Sequence, residues 1–379
     1  MDQKVAIVDA VQTEHGEKLE DNIQEMMFGI VKQLFDRVGI DRSAIDTMVS
    51  SSSDYWQGIS CSNSYYFDSA GANLKSGSKA AEDSGLGFIY GVMRILSGHY
   101  NTVLVISVTK CSEAPSVHAV THMGCDPFFQ RPVGLNEAAV SGLQAREYMN
   151  RYGLKEEELA KVVMKNLGNA GKNPYAHRGA DLTMEDVLAS PIMVDPLREM
   201  DIPPTSDGAC AVLLANEKTA RELTDTPVWV EGVGWNSNHT FLGDQDLLNG
   251  SLPKAAEMAY QMADVKDPLR EIDVAEICDT SSFNEILWME QLGFCPAGKG
   301  RDLINEGVTT TNGKLPVNSS GGLFGANPYV ARGLIRIAEA AIQLKGEAGD
   351  RQVPDVKKAL AHSVHGLGGQ LHSVFILGN

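Results

Sequence analysis

The sequence predicts an α/β protein of two similar βαβ lobes packed as one body. Three observations carry that expectation. The chain has 379 residues, too many for one small domain and suited to two lobes. Apolar strand-like runs alternate with helix-like periods along the whole length. The alternation also occurs twice. Residues 80–108 and residues 329–377 each contain an apolar helix closed by a glycine, Gly98 or Gly346, and followed by apolar strand-like sequence. No low-complexity linker separates the halves. The expected division is an N-terminal lobe over 1–222, with a loop and helical insertion at about 112–180, and a C-terminal lobe over 223–379.

Residues 4–10 (KVAIVDA) read as a first strand, not a signal peptide, because no basic stretch precedes the apolar one. Ile23, Met26, Met27, Ile30, Val31 and Leu34 repeat at helical spacing and predict a helix over 20–38. A strand is expected over 45–50. The segment 80–97 is apolar almost all round, as a helix inside a larger body is, and Thr102 to Val108 follow as a fully buried strand. Residues 112–135 read as loop, 136–152 and 155–170 as helices, 205–215 as a turn and buried strand, and Val228 to Val233 as the strand that opens the second half. The helix at 329–345 and apolar runs at 358–364 and 373–377 complete it.

Hydrophobic residues are 43% and charged residues 21%, which leaves enough apolar material for a large core. The net charge of −17 excludes a nucleic-acid binder, which needs clustered cations. An acidic chain still binds an anionic ligand through local Lys, Arg and helix N-termini. No apolar run of about 18 residues exists, so no membrane span is expected. The six cysteines, at 61, 111, 125, 210, 278 and 295, form no CxxC and no metal-ligand spacing; free thiols in a cytoplasmic protein without a bound metal are expected.

Several segments resemble thiolases: KAAEDSGLGFIYGVMRILSGHYNTVLVISV (79–108), LAKVVMKNLGNAGKNPYAH (159–177), PPTSDGACAVLLA (203–215), VAEICDTSSFNEILWMEQLGFCPAGKG (274–300), GKLPVNSSGGLFGANPYVARG (313–333) and LAHSVHGLGGQLHSVFILG (360–378). They are most similar to the sterol-carrier-type and archaeal or bacterial thiolases that pair with a small zinc-ribbon/OB-fold protein. The resemblance implies a thiolase fold, a five-layered α-β-α-β-α body. It implies a coenzyme A thioester as substrate or ligand, no covalently bound cofactor, and acyl-CoA metabolism of β-oxidation type. It also implies a homo- or heterodimer with a thiolase-like chain, in which the strand after the nucleophile helix pairs across a two-fold axis.

The resemblance places four catalytic positions, and all four depart from the family pattern. Glu82 stands where the nucleophilic Cys of a Cys-x-Ser-Gly turn would be (Glu82-Asp83-Ser84-Gly85). It reads either as a cap or dipole partner of the helix, or as a general base or thiolate mimic. Cys278 begins the Cys-Asp-Thr-Ser segment where the oxyanion-hole Asn or His belongs; it is a displaced nucleophile or an inert buried thiol. Asn327 replaces the His of Gly-His-Pro and cannot titrate. His365, before a Gly-rich loop, is the best remaining general acid/base, or a structural histidine. Ser84, Gly322, Gly366 and Gly368 are the expected substrate contacts. Two main readings follow. One is an enzyme that makes or breaks a C–C bond in an acyl-CoA by retro-Claisen or retro-aldol chemistry. The other is a non-catalytic subunit, a pseudoenzyme beside an active homologue. A rearranged Cys278–His365 dyad is a third, supported by residue type alone.

Overall fold

The fold, a computed structural model, is described for residues 4–379. Its strands are β1 (Val5–Gln12), β2 (Thr47–Ser52), β3 (Ser76–Ala81), β4 (Thr102–Lys110), β5 (Asp207–Asn216), β6 (Val228–Ser237), β7 (Val274–Glu276), β8 (Lys358–His365) and β9 (Leu371–Gly378). The helices that matter for the site are α1 (Ile23–Val38), α2 (Ser84–Leu96), α3 (Glu137–Tyr152), α4 (Glu156–Ala170), α5 (Leu252–Ala263), α6 (Ser282–Gln291) and α7 (Arg332–Lys345). The strands follow the order β3-β2-β4-β5-β1-β6-β9-β8-β7. This ladder is two half-sheets. They touch only where Ala6 pairs Trp229 and Ile7 pairs Val228.

Side-chain alternation builds the layers. Ile7, Val103, Val105, Val212 and Leu214 on one half, and Ala359, Ala361, Phe375 and Leu377 on the other, pack on α2 and α7 between them. Phe88 of α2 meets Phe375 of β9 edge to face, with ring centroids 5.2 Å apart. The opposite faces carry Ala6, Val8, Leu104 and Ile106 against α1, and Leu360, Val374 and Ile376 against the α5–α6 side. Both faces of each half-sheet are therefore buried, and the body has the five α-β-α-β-α layers expected.

Local chemistry sets the element ends. Asn22 caps α1 by accepting from the Gln24 and Glu25 N–H groups, Glu25 closes the capping box, and Gly39 ends the helix at φ 75°. Helix α7 is buried all round although it carries Arg332, Arg336, Glu339 and Gln343. Those polar groups are paired, mostly within the C-terminal lobe. Arg336 meets Glu276 at 3.0 Å, Arg351 meets Glu339 at 3.0 Å, and the Gln12 amide donates to Glu339 at 2.6 Å. Among the described residues no helix is long and apolar enough to cross a membrane.

One expectation is corrected. The strand after α2 is β4, which is flanked by β2 on one side and β5 on the other, so it offers no free edge. The free edge belongs to β3, the strand before α2, which pairs only with β2 and is largely exposed. The sequence SGSKAA has no apolar alternation and gave no strand expectation. The Glu82 N–H donates inward to Ser52, so by alternation Lys79 and Ala81 turn their N–H groups outward. If the expected two-fold pairing uses this edge, Lys79→Pro should shift the molar mass in light scattering towards the monomer while Lys79→Ala leaves it unchanged. Equal masses for the two variants would remove β3 from the interface.

Candidate functional site

The two central helices bring their N-termini together. Ser84 accepts the Leu334 N–H through its hydroxyl at 2.8 Å, so the first residue of α2 caps α7. Ser363 of β8 lies between them. A methyl group on Gly85 would come within 2.6 Å of Ser363 Cβ, and one on Gly333 within 2.1 Å of its Oγ. Both helices reach this point only because those positions have no side chain. The Ser363 hydroxyl donates to Asp83 Oδ1 at 2.6 Å, and the same oxygen accepts the Gly85 N–H at 2.9 Å. Asp83, not Glu82, is thus the cap of α2. That settles one reading of Glu82 against capping.

Glu82 lies one residue earlier, at φ 65°, a left-handed conformation that side chains other than Gly, Asn and Asp seldom adopt. The strained turn holds its carboxyl half-buried beside Ser53, Lys79 and Tyr329. Burial raises its pKa; the Ser53 hydrogen bond and the Lys79 charge pull the other way and are outweighed. Asp83 and Ser363 link this turn to His365, two residues past Ser363 on β8. Burial lowers the His365 pKa, so the ring is neutral at pH 7 and able to accept a proton; Asp83, Arg332 and Glu137 are the charges that bear on it.

A cavity of about 1080 Å³ lies beyond Tyr329 and Arg332; neither Glu82 nor His365 is among the residues that line it. Asn327, Tyr329, Arg332, Glu137, Cys111 and Thr280 line its inner wall. Arg332, in the first turn of α7, donates to Glu137 at 3.1 Å and to the Val364 carbonyl at 3.0 Å. Its guanidinium lies 4.3 Å from the centre of the Tyr329 ring, which also packs on Trp56 at 4.7 Å. Burial raises the Tyr329 pKa well above the ordinary phenol value, and Glu137 adds to the shift. Asn327 is fixed by its backbone, N–H to Ser206 Oγ and carbonyl to the Ser206 N–H, both at 3.0 Å. Its side-chain oxygen is buried and has no partner among the described residues.

The other expected residues are placed differently. Cys278 is fully buried among Leu323 and Val364, off the cavity wall, and burial pushes its thiol up to about 12. Its N–H donates to His362 Nδ1 at 3.3 Å, which leaves His362 Nε2 to donate to His372 Nδ1 at 2.8 Å. Ser84 is enclosed between the central helices. Gly322 sits at φ 59° against Asp279, whose Oδ1 accepts the Leu323 N–H at 2.7 Å. Asn166 bridges the Asp279 and Glu285 carboxyls at 2.8 and 2.7 Å, and Lys165 meets Glu285 at 2.8 Å. Burial holds Asp279 well above the usual carboxylate range. Gly366 and Gly368 have φ of 80° and 66°, and the Gly368 carbonyl accepts from the Gln144 amide at 3.1 Å. Of the expected residues the structure thus puts only Asn327 on the cavity wall; Glu82 and His365 stand behind Tyr329, Arg332 and Glu137, whose charges they feel, and Cys278 and Ser84 are off the wall as well. The residues not foreseen are Asp83, Glu137, Tyr329 and Arg332. One signal was readable: an arginine opening an otherwise apolar helix needs a partner or a ligand.

Five layers with two central helices aimed at one strained turn define a thiolase-type architecture. The family profile described as "Thiolase C-terminal domain-like" matches residues 234–379. An "Acetyl-CoA acetyltransferase" of Methanothermobacter thermautotrophicus is 32% identical over 373 residues, 96% of this chain and 97% of that protein. "Sterol carrier protein 2" of Oryctolagus cuniculus is 36% identical over 236 residues, 60% of this chain but 43% of that longer protein. A solved structure titled "Ltp2-ChsH2(DUF35) aldolase" has the same fold, with TM-score 0.85, 23% identity and coverage of 99% of this chain and 97% of that one. The chain belongs to the thiolase superfamily.

Two predictions follow from the buried groups. Cys61 is exposed, whereas burial pushes Cys278 and Cys111 up to about 12. Iodoacetamide at pH 8 should alkylate Cys61 first and leave Cys278 unmodified in peptide mapping; fast labelling of Cys278 would mean a thiolate is present. Burial also lowers His15, His362 and His372, His15 and His372 to about 3. A depressed folded pKa lends stability that is whole above the unfolded value of about 6.5 and is lost as pH falls towards the folded one. Each such histidine removes up to about 1.4 kcal/mol per pH unit in that window. The raised Asp279 acts with opposite sign, so the readout is a comparison of slopes. His372→Gln should flatten the fall of the melting temperature between pH 6.5 and 5; an unchanged slope would place the acid sensitivity elsewhere.

Proposed function

We propose that this chain breaks or forms a C–C bond in an acyl-CoA thioester by retro-aldol-type chemistry, without a covalent acyl-enzyme. It works within a complex, as a dimer with a thiolase-like chain and with a zinc-ribbon/OB-fold subunit. One observation carries the reading. A carboxylate, Glu82, occupies the strained turn at the helix N-termini, and the thiol nearest the turn on the cavity wall, Cys111, is held in its protonated form. The family membership supports the thioester, and the DUF35 complex among structures of this fold supports the accessory subunit.

The chemistry needs a base, a place for charge on the thioester oxygen and an acceptor for a hydroxyl. For a 3-hydroxyacyl-CoA, a base takes the hydroxyl proton and the C2–C3 bond breaks. The electron pair moves to C2 and on to the thioester oxygen as an enolate. The C3 fragment leaves as an aldehyde or ketone, and a proton returns to C2. Glu82, with its pKa raised, and His365, kept neutral, are the two groups suited to proton transfer. The unpartnered Asn327 oxygen suits a hydroxyl donor on the substrate, which a thiolase substrate lacks. The Arg332 guanidinium, on the cavity wall, is the donor suited to the enolate oxygen.

The test is release of free carbonyl compound and acyl-CoA from 3-hydroxyacyl-CoA by the chain with its partners, alongside intact mass. No acyl adduct should form on any cysteine, and Glu82→Gln should lower turnover by about 10²–10⁴, the range for loss of a general acid or base. An acyl adduct with thiolysis of acetoacetyl-CoA would refute the proposal. A second reading, a non-catalytic subunit, is favoured by one feature: the N–H donors at the helix ends are already taken by Asp83 and Ser84. Those two bonds occupy one N–H at each helix end, Gly85 and Leu334. This reading is distinguished by an active homologue that loses turnover when this chain is omitted, while Glu82→Gln changes nothing.

A further inference from the structure

The cavity wall carries a second cation whose charge is not met by the protein. Arg178 lies on the side of the cavity towards Lys18 and His177. It is half-buried, and its Nε donates to the Phe324 carbonyl at 3.3 Å. No carboxylate lies within 4.0 Å of it among the described residues, and its Nη atoms have no hydrogen-bond partner there. By contrast, Arg332, Arg336 and Arg351, the arginines buried around α7, each have a carboxylate at 3.1 Å or less. Burial without a counter-charge is costly, and it pulls the Arg178 pKa down from its usual value. The charge stays unpaired in a chain with 49 acidic residues from which a partner could have been drawn. Glu17 and Glu199 line the same cavity, and Glu17 bears on His177, yet neither pairs with Arg178.

The neighbouring geometry ties Arg178 to the turn that leads into Asn327, which lines the same cavity. The His177 N–H and Nδ1 both meet the Gly325 carbonyl, at 2.9 and 2.7 Å, and Arg178 holds Phe324. Those carbonyls precede Asn327 by two and three residues. Two consecutive side chains are thus spent on fixing one turn, and the free Nη donors of the second are left to the cavity. A guanidinium so placed recognises a carboxylate in a fork, with two parallel N–H donors.

We infer that Arg178, with Lys18 at the mouth, is a subsite for a carboxylate carried by the acyl group, so that the substrate is a CoA thioester with a second, acidic end. The inference rests on the acyl-CoA reading of the site and adds the class of acyl group. The phosphates of coenzyme A are the other anions available, but the pantetheine arm keeps them many bonds from the thioester, whereas Arg178 grips the turn that leads into Asn327.

The experiment compares two acyl-CoA ligands of equal chain length, one ending in a methyl group and one in a carboxylate, by calorimetry on the full complex. Each is also tested as the pantetheine thioester. The parent protein should prefer the carboxylate, and the preference should weaken with added salt. Arg178→Met should cut affinity for the carboxylated thioester by tenfold or more and leave the methyl-ended one within twofold, in both the CoA and the pantetheine series. Arg178→Lys should recover part of the loss, since it restores the charge without the fork. Equal weakening of both acyl groups would mean a structural role through the Phe324 turn and would overturn the inference. Weakening that vanishes with pantetheine would assign Arg178 to a phosphate and overturn it too. If no CoA thioester binds the parent, the acyl-CoA reading itself fails, which is a separate result.

Discussion

Everything at the site depends on two buried helix N-termini meeting head to head over one serine. Each end presents N–H groups without intrahelical partners and a partial positive charge. Placing two such ends together inside a protein is unfavourable unless every donor finds an acceptor. Asp83 and Ser84 supply an acceptor for one N–H of each end, those of Gly85 and Leu334, and Gly85 and Gly333 leave the space. Because Asp83 also accepts from Ser363, the end of β8 is pinned to the turn before α2. Residues almost three hundred apart in sequence, Glu82 and His365, are joined through Asp83 and Ser363 by this means. A larger side chain at Gly333 would collide with Ser363 Oγ at 2.1 Å and push the lobes apart at the point where the chemistry is arranged.

The second requirement is the support behind the pocket. The 274–279 segment and the Asn318–Leu323 turn bind each other through buried polar groups: the Ile277 N–H to Asn318 Oδ1 at 2.8 Å, the Asn318 amide to Glu285 at 3.0 Å, and Leu323 to Asp279. These acids sit close together at zero exposure. Burial is the main cause of the upward shift of Asp279, and the neighbouring Glu285 charge adds to it. Lys165 supplies the counter-charge for Glu285. The network stiffens the turn that carries Asn327 onward to α7, which is how a residue with no titration keeps a fixed orientation.

Much of the fold was legible in the chain because its strands and helices obey simple periods. The spacing of Ile23, Met27, Ile30 and Leu34 gives α1, and unbroken apolar runs give β4, β5 and β9. β3 was not legible, since an edge strand of Ser, Gly, Lys and Ala buries nothing and needs no alternation. The site was legible only through family likeness. Nothing in the letters of Glu82 announces a left-handed backbone, and the Arg332–Glu137 pair joins residues 195 apart, which no local pattern encodes. The likeness located positions and could not assign their partners; it suggested Glu82 as a cap, a role that geometry gives to Asp83.

That displacement of the cap has a chemical consequence. A cysteine at such a turn works because the helix field favours a thiolate over a thiol. Here the carboxyl of Asp83 already sits against the end of α2. An anion next to the turn cancels much of the field that would have stabilised a second anion one residue away. The Glu82 pKa is raised, with burial as the leading cause and the Asp54 charge adding to it against Ser53 and Lys79. The same surroundings that make the turn a poor home for a thiolate make it a good one for a proton acceptor whose affinity for the proton is moved up towards neutrality. With the neutral His365 ring on the other side of Asp83, the turn has two groups able to exchange a proton beside it, and the thiol on the cavity wall is no thiolate to attack a carbonyl. Proton transfer, rather than acyl transfer, is what this arrangement of charges favours.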